Sequence, residues 1–527
     1  MICTPLAAET PEALFTALAS ADTASDWLEL RLDALRDLTA DAVNHTLRQA
    51  LARRRKPVIA TFRPREQGGL RDLTRAERLR FWGNALQTDA DAFDIESDLI
   101  PHLVSAYPPD HPVWLRVVAS HHDFQTTPAD VTGFVAAHFP PYAGTIKLAT
   151  SVERPDAVWR LFAWLTGSPQ QPMKIPVGMG SAGILTRILG PAYGARWTYA
   201  ASQDGRTLAP GQLPADELRH TFRLPDLNRH TVVAGLLGQP VGHSLSKYLH
   251  NAAFTHLGLN WVYIPVEVSP ADLGSFVRDF IHPRTRRVPW PVGGYSVTLP
   301  HKVAVIAHLD QLTPTAERVG AVNTILIRDQ ALIGDNTDVC GALHPLTQRF
   351  ELAGQPVAVL GAGGAAAAVT CGLVDAGAQV TVFARNPERG KMLGERFGIS
   401  VMPLDQFQGR RFTGLVNTTP IGMMGYAAES EFPVSPTTLD GLTWVYDLIY
   451  RPRCTPLLQA ASRQGRATLD GLPMLVTQAA AQFAHWTGQA PPETVLQAAA
   501  ERALATQPAG VTSRSDLTIL NASSPSA

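Results

Sequence analysis

Two lysines in this chain sit where residue type and neighbours allow chemistry. Lys147 lies inside the apolar run GTIKLAT, and His122 closes the run before it, PVWLRVVASHH. An amine kept from water in such a place can attack a ketone carbon, and the imine so formed acidifies the neighbouring C–H. A histidine, with an ordinary pKa near neutrality, suits removal of that proton and its return to a departing hydroxyl. By residue type alone, a structural lysine is the alternative. Lys302 stands at the end of GGYSVTLPHK behind Thr298, and the later words GAVNTI and GDNTD supply Asn323 and Asp338. A lysine and an aspartate at strand or loop ends, beside a dinucleotide-binding unit, can give a proton to a ketone oxygen as hydride reaches its carbon. Ser244 and Ser246 in GHSLS add two hydroxyls able to grip a carboxylate, although Ser-x-Ser is also a common helix start.

The dinucleotide unit is read from VAVLGAGGAAAA, an apolar strand, a GxGxxA turn at Gly361, Gly363 and Ala366, and an alanine-rich helix. The first glycine permits the tight turn, the second lets pyrophosphate approach the backbone, and the small third residue packs helix on strand. Gly364 and Ala365 open the helix, where free N–H groups face the anion. The next strand ends in ARNPERG, with Arg385 where an NAD site usually offers an acid to the ribose, and Arg389 one turn on. Guanidinium groups suit a 2′-phosphate, so the expected cofactor is NADP, as NADPH for a reduction.

The elements that must hold these groups are legible as short apolar runs. ICTPLA, WLELRLD, PVIATFR, AFDIES, PVWLRVVAS, GTIKLAT, MKIPVGM and RWTYAAS give eight strands, alternating with helix-like segments such as Asp41 to Arg55 and Thr74 to Leu86. That pattern predicts an α/β chain beginning with a (β/α)8 TIM barrel over residues 1–222, with Arg31, Asp33, Arg63, Glu96, His121, His122 and Lys147 at strand ends, where such barrels keep their chemistry. After the polar, proline-containing LPDLNRHT, strands at VVAGLLG, WVYIPVEV and GGYSVTL and a hairpin at AVNTILIRDQALIG predict a small α/β domain over 231–335. Strands at PVAVLGA, AQVTVFA, GLVNTT and WVYDLIY predict a Rossmann domain over 336–470. Residues 471–505 read as C-terminal helices returning to the smaller domain, and 506–527 as a disordered tail rich in small polar residues.

Composition narrows the partners. A formal net charge of -1 and a pI near 7.0 give no electrostatic reason to expect nucleic acid or an anionic membrane surface, which leaves small molecules. Cys3, Cys340, Cys371 and Cys454 stand far apart with no CxxC pair and no histidine at metal-ligand spacing, so neither a disulfide framework nor a metal is expected. The uncharged stretch Leu352 to Val374 carries five glycines and a proline in a strand–turn–helix pattern rather than that of a membrane span. MICTPLAAETPEALF lacks a secretory pattern, and a cytoplasmic chain is expected.

From Thr231 to Gly488 the words GQPVGHSLS, SVTLPHK, GAVNTI, GDNTD, GAGGAA, NTTPIGM, YDLIY and MLVTQAA resemble the shikimate dehydrogenase family. The resemblance implies Lys302 and Asp338 as the catalytic pair, Ser244 and Ser246 on the substrate carboxylate, Thr298, Asn323, Tyr450 and Gln478 as further substrate contacts, and Met423 beside the nicotinamide. Lys247, Ser296 and Ala384 depart from the residues frequent at their positions. From Met1 to Leu213 the words ELRLD, TFR, SHHDF, TIKLAT, GILTR and APGQ resemble type I 3-dehydroquinate dehydratase. This implies a Schiff base on Lys147, His122 as general acid and base, and substrate contacts from Glu29, Arg31, Arg63, Arg187 and Gln212, with Arg187 on the carboxylate. Here Gln67 stands where a glutamate is usual, with Glu66 beside it, and Leu208 where a serine is usual.

The combined expectation is a bifunctional shikimate-pathway enzyme of aromatic amino-acid precursor synthesis. It would dehydrate 3-dehydroquinate and then reduce 3-dehydroshikimate to shikimate with NADPH. The alternatives are a dehydrogenase preferring quinate, and a barrel reduced by Gln67 and Leu208 to impaired activity or to a binding or scaffold role.

Overall fold

The computed structural model describes residues 1–21, 23–167, 172–201 and 209–506, so Leu208 and the predicted tail from 507 onward lie outside the described residues. The described residues fall into two compact units. The first comprises Met1–Val232 with Val266–Phe280 and Thr285–Pro291, and the second Val233–Pro265, Ile281–Arg284 and the chain from Val292 onward.

Eight strands build the first unit: β1 Ile2–Leu6, β2 Trp27–Arg31, β3 Val58–Thr61, β4 Ala92–Glu96, β5 Val117–Asp123, β6 Thr145–Ser151, β7 Met173–Met179 and β8 Thr198–Tyr199. Their order is β7-β6-β5-β4-β3-β2-β1-β8, with parallel neighbours throughout, and one bridge from Lys174 to Ala195 brings the β7 edge round beside the chain leading into β8. The barrel is nearly closed. Two predicted strands lose more than half of their runs. In PVWLRVVAS, Pro112 starts a 3-10 turn capped by the His111 ring, which accepts from the Val113 N–H at 3.2 Å, so β5 starts only at Val117. RWTYAAS keeps just Thr198 and Tyr199 as β8.

Successive strand residues face opposite ways, so Glu29 and Arg31, Asp94 and Glu96, Ser120 and His122, and Lys147 and Ala149 form inward pairs at the strand ends. Below them the filling is apolar, with Cys3, Ile59, Ala92, Val118 and Ile175 in one buried cluster. Within the same unit, Trp290 is buried edge-on against Phe162 at 4.8 Å.

The second unit holds two sheets. The first contains β9 Val232–Gly238, β10 Trp261–Glu267, β11 Val292–Val297, β12 Gln311–Leu312, β13 Thr324–Arg328 and β14 Ala331–Asp335, ordered β10-β9-β11-β13-β14-β12. The predicted hairpin is β13 and β14, turned through Asp329 and Gln330 with φ of 48° and 63°, the two positive values that a tight two-residue turn matching strand twist requires. The second sheet contains β15 Pro356–Leu360, β16 Gln379–Ala384, β17 Ser400–Pro403, β18 Gly414–Asn417, β19 Trp444–Asp447 and β20 Ala467–Leu469. All its pairs are parallel, ordered β17-β16-β15-β18-β19-β20, which is the doubly wound Rossmann order with its crevice between β15 and β18. The helix Leu472–Thr487 places Val476, Ala479, Phe483 and Trp486 in a cluster with Ala234, Leu249, Phe254 and Tyr263 of the smaller sheet and its helix. Full burial of each such large side chain contributes about 1.5–3 kcal/mol, enough to fix this helix to that sheet.

Candidate active sites

At the mouth of the barrel, Glu29, Arg31, Arg63, Gln67, His122, Lys147, Arg187, Tyr199 and Gln212 line one cavity. The alternation of β2, β5 and β6 supplies Glu29, Arg31, His122 and Lys147, while Arg63 stands two residues beyond β3. Lys147 is buried, and its Nζ donates to Asp94 Oδ2 at 2.7 Å and stands 4.1 Å from the centre of the Tyr199 ring. Arg63 meets the other oxygen of Asp94 at 2.6 Å. Burial pulls the Lys147 ammonium below the ordinary lysine value, Asp94 opposes this, and Arg63 reinforces it. Burial disfavours ionised Asp94 too, yet Arg63 and Lys147 outweigh it and hold the carboxyl far below the usual range. Two cations thus share one carboxylate, and neither owns it.

His122 is held neutral, since burial and then Arg63 and Lys147 push its imidazole well below the ordinary value. Its main-chain N–H donates to Gln67 Oε1 at 3.0 Å. Glu66, the neighbouring carboxylate, is exposed and does not line the cavity. Arg187 is buried, and among the described residues its guanidinium donates to two main-chain oxygens, Pro210 O at 2.9 Å and Tyr199 O at 3.5 Å, while burial brings it down to about 10. With no carboxylate against it among the described residues, this cation is suited to receive one from a ligand. Gln212 Oε1 accepts from the Ala209 N–H at 3.2 Å, which keeps the chain after residue 208 at the cavity wall. Arg31 pairs bidentately with Asp33 at 2.8 and 3.0 Å and reaches the Gly68 carbonyl oxygen at 3.1 Å, fixing the loop that bears Gln67.

In the second unit, Lys302 Nζ lies 2.5 Å from Asp338 Oδ2, and the amide of Asn323 donates to the other oxygen, Oδ1, at 2.8 Å. Asp338 opens the helix Asp338–Thr347 and Asn323 immediately precedes β13, so the hairpin and that helix bring the trio together. Lys302 keeps 19% side-chain exposure and Asp338 8%, which leaves the pair reachable from one side. Ser246 begins the helix Ser246–His256, and Ser244 Oγ donates to Ser246 Oγ at 3.2 Å. Thr298 packs its methyl group beside Gly238, where a Cβ would lie 2.3 Å away. Gln478 is buried with its amide donating to Leu475 O of its own helix at 3.0 Å, and Tyr450 packs beside the cluster containing Leu472 and Val476. Met423 is 39% exposed.

The glycine turn fits a dinucleotide. Gly361 has φ of 110°, and a Cβ there would lie 2.6 Å from Thr418 Oγ1 across the crevice, so only glycine serves. A Cβ on Gly363 would meet nothing within 4 Å, which leaves its face open to an anion above the helix Gly364–Asp375. A Cβ on Gly364 would be 3.8 Å from Lys302 Cδ, so the turn and the catalytic candidate are immediate neighbours. Arg385 and Arg389 are exposed at the start of the helix Pro387–Phe397, capped by Asn386.

Comparison with known proteins agrees with both halves. Residues 2–229 match the family model for type I 3-dehydroquinase, 236–325 that for the shikimate dehydrogenase substrate binding domain, and 471–501 that for the shikimate 5′-dehydrogenase C-terminal domain. The chain is 31% identical over 515 residues to the chloroplastic bifunctional 3-dehydroquinate dehydratase/shikimate dehydrogenase of Arabidopsis thaliana, covering 94% of this chain and 83% of that one. It belongs to the bifunctional 3-dehydroquinate dehydratase/shikimate dehydrogenase family. The second half is also 41% identical to the NADP(+) shikimate dehydrogenase of Geobacter metallireducens, over 52% of this chain and 96% of that one. A solved structure of the Thermus thermophilus shikimate dehydrogenase, in complex with NADP(H) and shikimate, aligns over 52% of this chain and 99% of its own at 37% identity and a TM-score of 0.47.

Both halves of this bifunctional dehydratase/dehydrogenase contain groups that sequence reasoning passed over. Asp94 is the direct partner of Lys147, and the alternation in AFDIE pairs it with Glu96 on one face, a signal present in the sequence. Gln482, one turn after Gln478, is buried and joins Ser296 Oγ at 2.7 Å to the Asn323 carbonyl oxygen at 3.1 Å. Ser296 also accepts from the Tyr263 hydroxyl at 2.8 Å, so this departure has become part of the buried support beneath Asn323. Lys247 lies with Nζ 5.0 Å from the Tyr248 ring centre, and Ala384 is buried at the end of β16. No group of three metal-ligating side chains is present among the described residues, and no described helix is long and apolar enough to cross a membrane.

Proposed function

We propose that the barrel converts 3-dehydroquinate to 3-dehydroshikimate through an imine on Lys147, and that the second half reduces 3-dehydroshikimate to shikimate with NADPH. The observation that carries this reading is a desolvated Lys147 sharing Asp94 with Arg63 in the cavity that also holds neutral His122 and the buried guanidinium of Arg187. Residues 1–222 are assigned to the dehydratase, 231–335 to substrate binding, 336–470 to the nucleotide and 471–505 to helices returning to the substrate sheet.

In the dehydratase, the lowered pKa lets Lys147 shed a proton, and its lone pair attacks the ketone carbon, with water lost to form the imine. Neutral His122 accepts the proton from the acidified carbon and gives it to the hydroxyl that leaves as water. Hydrolysis of the imine returns the amine. Arg187 holds the substrate carboxylate, while Glu29, Arg31, Arg63 and Gln212 surround the ring.

In the dehydrogenase, Ser244 and Ser246 hold the carboxylate, and Thr298, Asn323, Tyr450 and Gln478 contact the ring hydroxyls or the carboxylate. NADPH held by Gly361, Gly363, Gly364, Ala365, Arg385 and Arg389, with Met423 at the nicotinamide end, supplies the hydride. Lys302 gives its proton to the ketone oxygen as that oxygen becomes an alcohol, and Asp338 holds the ammonium in line for the transfer. A cytoplasmic setting belongs to the same proposal, supported by four cysteines that are all free.

One assay tests the whole: 3-dehydroquinate and NADPH are mixed with the enzyme, and both products are followed. Shikimate accumulating after a lag in 3-dehydroshikimate supports the reading. Borohydride added with 3-dehydroquinate should fix an adduct on Lys147, and an adduct elsewhere or none would reject the imine.

A further inference from the structure

The carboxylate that holds Lys147 is the inner end of a line of alternating charges running out through the barrel wall. Asp94 pairs with Arg63 at 2.6 Å, Arg63 Nε reaches Glu96 Oε1 at 3.3 Å, Arg78 Nη2 reaches Glu96 Oε2 at 2.8 Å, and Arg78 ends on Asp98 at 3.1 Å. Asp94 and Glu96 are fully buried, Arg63 and Arg78 nearly so, and only Asp98 is exposed. Arg78 comes from the helix Arg75–Ala85, whose start is fixed by a capping box between Thr74 and Glu77. Neither Arg78 nor Glu96 lines the cavity, so neither touches a substrate there.

Buried charges interact strongly because little water screens them, and removing one partner leaves the next uncompensated. Arg63 is the shared member, drawn toward Asp94 on one side and Glu96 on the other. Arg78 satisfies Glu96 from behind, which leaves Arg63 free to lean on Asp94. The groups facing Lys147 from the surrounding strands are Asp94, Arg63, Glu29, His122, Cys3 and Tyr199, and among these only Arg63 is tied to the outer charges.

We propose that Arg78 is a positioning residue for the dehydratase, setting through Glu96, Arg63 and Asp94 how readily Lys147 gives up its proton before attacking the ketone. This rests on the reading of Lys147 as the imine-forming amine. Without Arg78, Glu96 claims Arg63, Asp94 is left to the ammonium, and the amine becomes harder to free. With Glu96 neutralised instead, Arg63 turns wholly to Asp94 and the amine becomes easier to free. The two changes therefore act in opposite directions, which simple damage to the barrel would not do.

The experiment is the pH dependence of dehydratase kcat/KM in the full chain for wild type, Arg78→Met, Arg78→Lys and Glu96→Gln, with dehydrogenase turnover in the same samples fixing the active concentration. The acid limb should move up by about half a unit to one unit in Arg78→Met, less in Arg78→Lys, and down in Glu96→Gln. Wild type that forms no borohydride adduct overturns the reading of Lys147 itself. An adduct in wild type together with an unmoved limb, or with limbs moving the same way in Arg78→Met and Glu96→Gln, overturns the role of Arg78 alone. If Arg78→Met yields no folded barrel, the Arg78→Lys and Glu96→Gln pair decides the matter by the same signs.

Discussion

Each half of this chain holds a lysine against an aspartate, at 2.7 Å in the barrel and 2.5 Å in the dehydrogenase, yet the surroundings of the two carboxylates differ. Asp94 is shared with a second cation, Arg63, at 2.6 Å. Asp338 is shared with a neutral amide, Asn323, at 2.8 Å. A carboxylate divided between two cations holds each less firmly, and the buried Lys147 is eased toward the neutral amine that a nucleophile must be. A carboxylate supported by an amide leaves its whole charge to the lysine, which suits an ammonium kept ready as a proton donor. The same two residue types are thus set to unlike tasks by the third member of each cluster.

Exchanging the lysines for alanine is the sharpest way to break this comparison. Lys147→Ala should reduce dehydratase turnover by at least about 10⁴-fold, because a covalent nucleophile has no substitute. Reduction of supplied 3-dehydroshikimate by that variant should be unchanged. Lys302→Ala should lower the reduction rate by about 10²–10³-fold with little change in ketone affinity, the range of a lost proton donor. Steady-state assays of each half with its own substrate check both, and crossed effects would reject the division of labour.

The aspartates should separate next. Asp94→Asn leaves Lys147 and Arg63 buried with no shared counter-charge and should destabilise the barrel by about 3–5 kcal/mol, seen as dehydratase lost at lower denaturant. Asp338→Asn has one accepting oxygen for two donors, so it can keep either the Lys302 or the Asn323 contact but not both; with a single, partly exposed cation losing its counter-charge, it should act mainly on the reduction rate and cost less stability than Asp94→Asn. Equal destabilisation by the two variants would show that the second cation beside Asp94 does not matter.

How far these clusters were legible follows from the range over which their signals act. Strand alternation and the glycine turn are local, and they placed Lys147 and His122 at strand ends, Gly361 in the turn, and a barrel, a small α/β domain and a Rossmann domain in succession along the chain. Asn323 and Asp338 could be named by their words, but that an amide would meet the carboxylate depends on the β13–β14 hairpin returning beside the helix Asp338–Thr347, a contact that spacing does not encode. Asp94 was missed although its alternation with Glu96 was visible, because an inward acid reads as a strand-end residue until Lys147 is seen two strands away. Gln67 looked like a lost carboxylate. Its Oε1 accepts from the main-chain N–H of His122, which ties the loop to β5 but leaves the imidazole ring itself without a bond from Gln67. PVWLR failed as a strand for the local reason that a proline and a capping histidine favour a turn.

A smaller effect distinguishes the exposed cations from the buried ones. Arg385→Ala should reduce the preference for NADP over NAD by about tenfold, the effect of one lost charge-assisted contact of about 1.4 kcal/mol, and leave the dehydratase untouched. Efficiency measured with both nucleotides checks it, and an unaltered ratio removes Arg385 from the phosphate site. Because this guanidinium is exposed, its deletion should cost little stability, in contrast to Asp94→Asn.

The smallest expected effect is a pH slope, and it tests whether the barrel really keeps its base neutral. His122 has its pKa lowered by burial, then by Arg63 and Lys147. Above the ordinary imidazole value near 6.5 both folded and unfolded chains hold it neutral, and its contribution is fully present. As pH falls below that value, the unfolded chain binds a proton that the folded barrel refuses, so stability is lost by up to about 1.4 kcal/mol per pH unit. His122→Asn should remove that slope. Since the variant has no base with which to report activity, hydrogen exchange of the β5 amides at pH 6.5 and 5.5, corrected for intrinsic rates, is the measurement, with the β15 amides of the same sample as reference. Wild type should lose about 1 kcal/mol more protection in β5 than the variant over that interval. Equal losses would mean that the folded imidazole takes up its proton as readily as the unfolded one, and the neutral base on which the barrel's half of the comparison depends would be gone.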